Sequence, residues 1–310
     1  MKIFNNLNDI PINHKNSSVT IGNFDGMHMG HIKLLEKTIE LAKKYNTIPV
    51  VMTFSPMPEE YFQKKDFFRL MSNADKMDFF KSYGILEIIL IPFNLEFSKI
   101  SASSFIDNIL ITKLNAKHIV VGNDFRFGNK REGDIELLKS FNSNHDFEVK
   151  MINLVEISGK KISSTSIRKL LTSGKISEAN AHLNKPYAIT GPVVHGEKLG
   201  RELGYPTANI EIYKSYPING IFLVEILRKN SKKLYGLASI GNKPTFSGIS
   251  DILEVFIFNF DLDIYGETIK VIFLEKIRDQ IKFNTKDELI DQMKNDHILA
   301  LDILRKKNEL

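Results

Sequence analysis

The chain has 310 residues, 43% of them apolar and 25% charged, with a net charge of +5 and no cysteine. That excludes disulfides, thiolate metal sites and cysteine nucleophiles, and at about 100–200 residues per domain it predicts two domains, each with its own core. The 42 Lys and Arg are interspersed with 37 Asp and Glu, which suits small anionic partners better than the basic stripe of a nucleic-acid binder.

The first part of the chain alternates strand and helix patterns. SVTIG (18–22) reads as a short apolar strand, and Ile32, Leu35, Ile39 and Ala42 recur at helical spacing from His31 to Tyr45. IPVVMTF (48–54) is a buried strand stopped by SPMP. Helices near Asn73–Tyr83 and Ser103–Leu114 precede the strands LEIILI and HIVVG; EGDIELLKSF then reads as a helix and FEVKMINLV as a strand. This alternation predicts parallel βαβ units, hence an α/β fold with a doubly wound sheet.

The pattern changes around Leu183–Gly191. Short β-like runs follow: YAITGPVV, GIFLVEILR, LYGLASIG, EVFIFNF and TIKVIFL, with Gly, Pro, Asn and Asp between them. These predict an antiparallel barrel or sandwich. A terminal helix opens on a capping-box pattern, Thr285 with Glu288, and carries Leu289, Met293, Leu301 and Leu304. The expected domains are residues 1–184 and 185–310. No apolar run approaches the roughly 20 residues of a membrane helix, and MKIFNNLNDI has no apolar signal core. A cytoplasmic location without membrane or nucleic-acid partners is expected.

Two segments carry chemistry. GNFDGMHMGH (22–31) lies where the first strand runs into the first helix. A helix N-terminus at the carboxyl end of a strand suits phosphate. Gly22, Gly26 and Gly30 let backbone approach a ligand, and His28 and His31 fall on one side of the entry turn. Two imidazoles there can stabilise charge on a nucleotide α-phosphate under attack. The segment lacks GKS/T, GxGxxG and HExxH, so it is no Walker A loop, dinucleotide fingerprint or zincin motif; a zinc site, or a plain glycine turn with surface histidines, is the alternative. In the second part, GRELGYPTANI (200–210) puts a Thr207 hydroxyl and an Asn209 carbonyl beside a turn. Both are oxygen ligands suited to Mg²⁺. Glu254 interrupts an apolar run and shares a strand face with Phe256 and Phe258, expected at the barrel mouth. An ordinary capped turn and an exposed-face Glu are the plainer readings.

On these residues the chain resembles the bacterial bifunctional riboflavin kinase/FAD synthetase family, within the H-x-G-H nucleotidyltransferase superfamily. ISSTSIRKLL (162–171), VVGNDFRFG (120–128) and TFSPMPEEYF (53–62) match further motifs of its first domain; GxxLGxPTAN, GxRPTF and the strand–turn–strand around Glu254 match its second. The resemblance implies a Rossmann-like nucleotidyltransferase domain followed by a barrel kinase. It implies ATP and phosphate binding by Gly22, Asn23, Phe24, Gly30, Ser163, Ser164 and Thr165, with Arg168 for the departing pyrophosphate. Flavin binding falls to Phe54, Pro56, Asp124, Phe125 and Arg126. In the kinase it implies ATP and flavin binding by Gly200, Leu203, Gly204, Pro206 and Lys243, metal at Thr207 and Asn209, and Glu254 as base for the ribityl hydroxyl. The implied reactions are phosphorylation of riboflavin to FMN and adenylylation of FMN to FAD, both with ATP and Mg²⁺; weak homo-oligomerisation is compatible with it. Met57 and Phe256 stand where the family has His, and Lys243 where it has Arg. Those departures keep two alternatives in view: retention of one activity only, or a non-catalytic flavin-binding regulator. A tRNA-synthetase-like activity is disfavoured by the lack of a basic tRNA-binding region.

Overall fold

The computed structural model describes residues 1–63, 67–142, 145–153, 156–157, 160–196, 204–212, 216, 218–229, 233–245 and 248–309, with backbone only at 156–157, 160, 242–245 and 248–252. It divides into two units, Met1–Ser164 and Thr165–Leu310.

The first unit is built on six parallel strands: β1 (Lys2–Phe4), β2 (Ser17–Ile21), β3 (Ile48–Phe54), β4 (Glu87–Ile91), β5 (Ala116–Gly122) and β6 (Glu148–Ile152). Their order is β1-β4-β3-β2-β5-β6. Alternate residues of one strand serve opposite faces: Val50, Met52, Ile119 and Val121 enter one core, Val51 and Val120 the other. Burial on both faces is the doubly wound arrangement expected. Strand β1 escaped the sequence reading because three edge residues are too few to show a period.

Helix α1 (Met29–Tyr45) buries Ile32, Leu34, Leu35, Thr38, Leu41 and Ala42, and Asn46 ends it in the left-handed conformation at φ 52°. Then come α2 (Pro58–Gln63), α3 (Asn73–Ser82) and the short turns α4 (Leu95–Ser98) and α5 (Ala102–Ser104). Ser72 caps α3 by accepting from the Asp75 N–H. The helix expected over Ser103–Leu114 is a π-helix at Phe105–Lys113. Side-chain periodicity at this length does not separate the wider ring from an ordinary helix. Helix α6 (Ile135–Asn142) and the hairpin β7 (Glu156–Ile157)/β8 (Lys160–Lys161) precede α7 (Ser164–Thr172).

The second unit closes six antiparallel strands into a barrel: β9 (Ala188–Val194), β10 (Thr207–Ile210), β11 (Gly220–Leu227), β12 (Leu234–Thr245), β13 (Gly248–Ile257) and β14 (Thr268–Arg278), in the order β10-β13-β12-β11-β14-β9. The terminal helix α9 (Lys286–Lys306) has the expected capping box of Thr285 and Glu288. Its Ala300 and Leu304 pack on Leu223 and Leu237 outside the barrel. Arg278 at the end of β14 donates to both carboxylate oxygens of Asp296, and both side chains are largely buried.

The division by packing falls ahead of the expected boundary at residue 184. Helix α8 (Ile176–His182) ties itself to the barrel: the Asn180 side-chain amide donates to the Phe273 carbonyl at 2.7 Å and accepts from the Tyr187 N–H at 2.8 Å, and Ser177 donates to Leu274 O.

Candidate functional site

Between β2 and α1 the chain makes a tight, strained turn. Phe24 and Met27 lie at φ 48° and 44°, and Gly26 at φ 80°. Left-handed backbone on such side chains costs about 1–3 kcal/mol per residue and persists only where surroundings enforce it. The enforcement is visible. The Gly22 N–H donates to Met52 O at 3.1 Å. The Asn23 carbonyl accepts from Lys76 Nζ at 2.8 Å and from Thr53 Oγ1 at 3.2 Å. The fully buried Asp25 carboxylate accepts from the Leu70 and Met71 N–H groups. Ser164 Oγ, far along the chain, donates to Asp25 O at 2.8 Å. The hydroxyl of ISSTSIR therefore closes directly on GNFDG.

The turn presents the two histidines. His28 occupies the N-cap position of α1 without a side-chain capping bond, which leaves first-turn N–H groups to a ligand. The His28 and His31 rings stack at 3.7 Å between centroids, and Phe24 lies 5.1 Å from His31. Burial pushes the His31 imidazole well below the usual histidine range, and the nearby His28 and Lys76 push the same way. Its Nδ1 is buried with no hydrogen-bond partner. A Cβ on Gly30 would sit 3.2 Å from the His28 ring, so the glycine gives that imidazole its room. Among the described residues no group of three or more His, Asp or Glu could hold a metal ion, and the zinc alternative finds no third ligand.

Around this turn the other expected residues divide. Ser163 and Ser164 end the first unit, half-buried, while Thr165 and Arg168 lie on α7 in the second. Asp124 is exposed and accepts from Lys161 Nζ at 2.7 Å, and Arg126 pairs with Asp134. Phe125 stacks on the core residue Phe127. Phe54 stands edge-on to Phe93 at 6.0 Å; Tyr61 and Phe62 pack on the same Phe93 ring, and Phe62 is 64% exposed. An exposed aromatic on an aromatic base is a ready stacking surface for a planar ring. Pro56 precedes Met57, which is 1% exposed and thus a core residue rather than part of that surface.

In the barrel, Thr207 and Asn209 lie on strand β10 itself and not in a turn. Cross-strand pairing sets Asn209 opposite Glu254, Thr207 opposite Phe256, and Glu254 opposite Ser239. The register also corrects the expected position of Glu254. Leu253 and Val255 are fully buried, so the alternating Glu254 and Phe256 face outward. This row lies on the outer wall of the barrel, not at its mouth, because the interior of a six-stranded barrel is filled by side chains. Tyr205 meets Phe256 at 5.0 Å, and His297 of α9 stacks on Phe258 at 4.4 Å. A Cβ on Gly196 would fall 2.1 Å from Asn209 Nδ2, so Gly196 is the cradle of the Asn209 amide. A hydroxyl and an amide carbonyl on one strand face form a pair of oxygen donors that fits Mg²⁺, with the Glu254 carboxylate on the neighbouring strand left for another role. Gly204 takes φ 80° ahead of Pro206. Gly200 and Leu203 lie outside the described residues, as does the side chain of Lys243, whose backbone pairs with Ser250.

Sequence reading missed Lys76, Asp25, Gly196 and the Phe93 platform. Lys76 left a signal: Asn73, Lys76, Met77 and Phe80 follow helical spacing, which sets a lysine in an inward slot. The rest become neighbours only through the fold.

Comparison with known proteins matches both parts of the chain to families. A family model of FAD synthetase matches residues 10–166, and one of riboflavin kinase matches residues 183–304. The bifunctional riboflavin kinase/FMN adenylyltransferase of Buchnera aphidicola subsp. Schizaphis graminum is 44% identical over 96% of each chain. That of Escherichia coli K12 is 38% identical over 91% of each. A Streptococcus pneumoniae crystal structure described as a macrolide-efflux protein superposes with a TM-score of 0.84 at 35% identity, covering 96% of this chain and 97% of that one. Among the described residues no helix is long and apolar enough to cross a membrane. With an FAD synthetase domain and a riboflavin kinase domain in one chain, and relatives of that name along nearly its whole length, the protein belongs to the bifunctional riboflavin kinase/FMN adenylyltransferase family.

Proposed function

We propose that adenylyl transfer runs on the turn Gly22–His31 and riboflavin phosphorylation on the outer wall of β10 and β13. In the first reaction His28, His31 and the first-turn N–H groups of α1 bind the α-phosphate of ATP. They stabilise the charge that builds there as a phosphate oxygen of FMN attacks and pyrophosphate leaves. Asn23, Phe24 and Gly22 shape the turn, and Gly30 leaves space for His28. Ser163, Ser164 and Thr165 supply hydroxyls and amides to the triphosphate, and Arg168 a cation to the departing pyrophosphate. Phe54, Pro56 and Phe125 line the flavin, with Asp124 and Arg126 at its polar edge. One observation carries this reading: the 2.8 Å bond from Ser164 Oγ to Asp25 O, which joins the two phosphate-type motifs within the first unit.

In the second reaction Glu254 orients the ribityl hydroxyl and accepts its proton. Thr207 and Asn209 hold Mg²⁺, which when bound offsets the charge of the ATP phosphates. Gly200, Leu203, Gly204, Pro206 and Lys243 serve ATP and flavin. No covalent enzyme intermediate is needed in either reaction, since positioning and charge stabilisation suffice. We assign adenylyl transfer to residues 1–184 and kinase activity to 185–310, acting in the cytoplasm on small molecules, without nucleic acid or membrane and with at most weak self-association.

The test is to incubate the protein with riboflavin, ATP and Mg²⁺ and to separate the flavins by chromatography. Both FMN and FAD are expected. His31→Ala should stop FAD formation and leave FMN; Glu254→Ala should stop FMN formation and leave FAD made from added FMN. Loss of both activities in each folded variant would overturn the two-site assignment.

A further inference from the structure

Lys76 is the only lysine buried among the described residues, at 1% exposure, and it sits one turn into α3 on the face that meets the β2–α1 turn. Its ammonium donates to Asn23 O at 2.8 Å, an oxygen that also accepts from Thr53 Oγ1. Placing a charge in a protein interior costs several kcal/mol unless strong polar contacts offset it. Methionine would fill the same slot without that cost. A buried cation held on the carbonyl of a strained, phosphate-handling turn therefore calls for a role in the site.

We propose that Lys76 is a positioning residue for adenylyl transfer: its ammonium fixes the Asn23 carbonyl, and so sets the turn that presents His28 and His31 to the α-phosphate. The inference rests on the histidine site proposed above. Asn23 is followed at once by Phe24, one of the left-handed residues, whose ring lies against His31. A change of backbone at 23 is thus relayed to the imidazole pair within one residue. Three further anchors fix the turn at Asp25 and Gly22, and Lys76 is the one that brings a cation. Burial first, then His28 from its own turn and Lys76 from α3, push the His31 imidazole toward the neutral form, and the buried Asp25 carboxylate of the same turn is engaged by the Leu70 and Met71 N–H groups. Neutral His31 keeps one ring N–H to donate to phosphate while leaving no net charge to bind product.

The experiment compares Lys76→Met, Lys76→Arg and His31→Ala in the full chain. FAD formation from FMN is measured across pH, FMN formation from riboflavin is the internal control, and unfolding is followed for each variant. Lys76→Met is expected to lower kcat/KM for FAD formation at least tenfold, mainly through kcat, with the kinase unchanged. It should also move the acid limb of the FAD profile to higher pH: removing a neighbouring cation lets His31 protonate sooner, and the protonated form is the inactive one. Lys76→Arg keeps the cation, so it should recover part of the rate with the acid limb in place. Lys76→Met within twofold of the unaltered chain with an unmoved limb overturns the inference. So does equal loss in both Lys76 variants with the limb unmoved, which is the mark of a packing role. If Lys76→Met does not fold, Lys76→Arg decides: FAD formation retained at least in part, with the acid limb in place and the kinase intact, supports the proposal, and a moved acid limb or loss of both activities overturns it. His31→Ala separates the premises. Retained FAD formation there removes the histidine site itself, whereas its loss beside an unaffected Lys76→Met removes Lys76 alone.

Discussion

At the sites proposed above, the two units would hold ATP phosphates with opposite architectures. In the open sheet the site is a loop: strand β2 ends, the backbone turns through three left-handed residues, and α1 begins. Its precision comes from bonds made to the loop by distant segments, namely Thr53, Leu70, Lys76 and Ser164. In the closed barrel the proposed site is part of the regular ladder. Asn209 and Glu254 face one another because β10 and β13 pair in that register, and the wall itself provides the rigidity. A loop site needs external anchors and tolerates irregular backbone; a ladder site needs correct pairing and close-fitting neighbours such as Gly196.

The largest effects should separate the units by activity. His31→Ala should lower FAD formation about 10²–10³-fold, as expected for loss of a preorganised charge-stabilising donor, while FMN formation stays within twofold. Glu254→Gln should lower FMN formation about 10²–10⁴-fold, the usual contribution of a general base, with FAD formation from added FMN intact. Chromatography of the flavins reads both. Crossed losses would erase the comparison.

The next effect concerns stability. Asp296→Ala leaves Arg278 buried without its bidentate carboxylate. Breaking a buried pair in this way costs about 3–5 kcal/mol. The variant should unfold at clearly lower denaturant in the second unit, with FMN formation lost before FAD formation as denaturant is raised. Simultaneous loss of both activities would mean that the two units do not fail independently.

A smaller effect tests the ladder. Gly196→Ala puts a Cβ 2.1 Å from Asn209 Nδ2, so the amide must move off its present position. A misplaced ligand of this kind can cost up to about 10²-fold; a tenfold rise in the Mg²⁺ concentration that half-activates FMN formation is expected, with FAD formation unaffected. An unchanged Mg²⁺ titration would argue that Asn209 does not serve the metal.

How far the sequence could be read follows the same contrast. The open sheet was legible because its strands are continuous apolar runs and its helices have clear periods: IPVVMTF is β3 residue for residue. The π-helix at Phe105–Lys113 was not, since it shares its apolar residues with an α-helix and differs in hydrogen-bond ring. The histidine pair, Ser164, Thr207, Asn209 and Glu254 stood out as motifs. The outward direction of Glu254 did not, because inside and outside of a barrel alternate alike along the sequence and only burial of Leu253 and Val255 decides between them. Lys76 and Gly196 act through contacts with residues 23 and 209, and no local pattern encodes which distant carbonyl or amide a side chain will meet. The loop site therefore hides its supports, and the ladder site hides its orientation.

The smallest effect returns to the loop and separates stability from activity. Gly30 is the second residue of α1, and a Cβ there would lie 3.2 Å from two atoms of the His28 ring. Alanine is the better helix former by up to about 1 kcal/mol, and position 30 carries no left-handed φ to forbid it. Gly30→Ala should therefore leave the first unit as stable as before or slightly more so. The cost falls on the imidazole, which must give by a few tenths of an ångström and so loosen its 3.7 Å stack on His31. A shift of that size should lower FAD formation only a few-fold, against roughly 10²-fold for an ångström-scale displacement. A rise in unfolding midpoint together with a fall in kcat for FAD, at unaltered FMN formation, is the expected pattern. If alanine instead raises or leaves the FAD rate, the glycine is there for the turn alone, and the His28 ring has more freedom than its packed position shows.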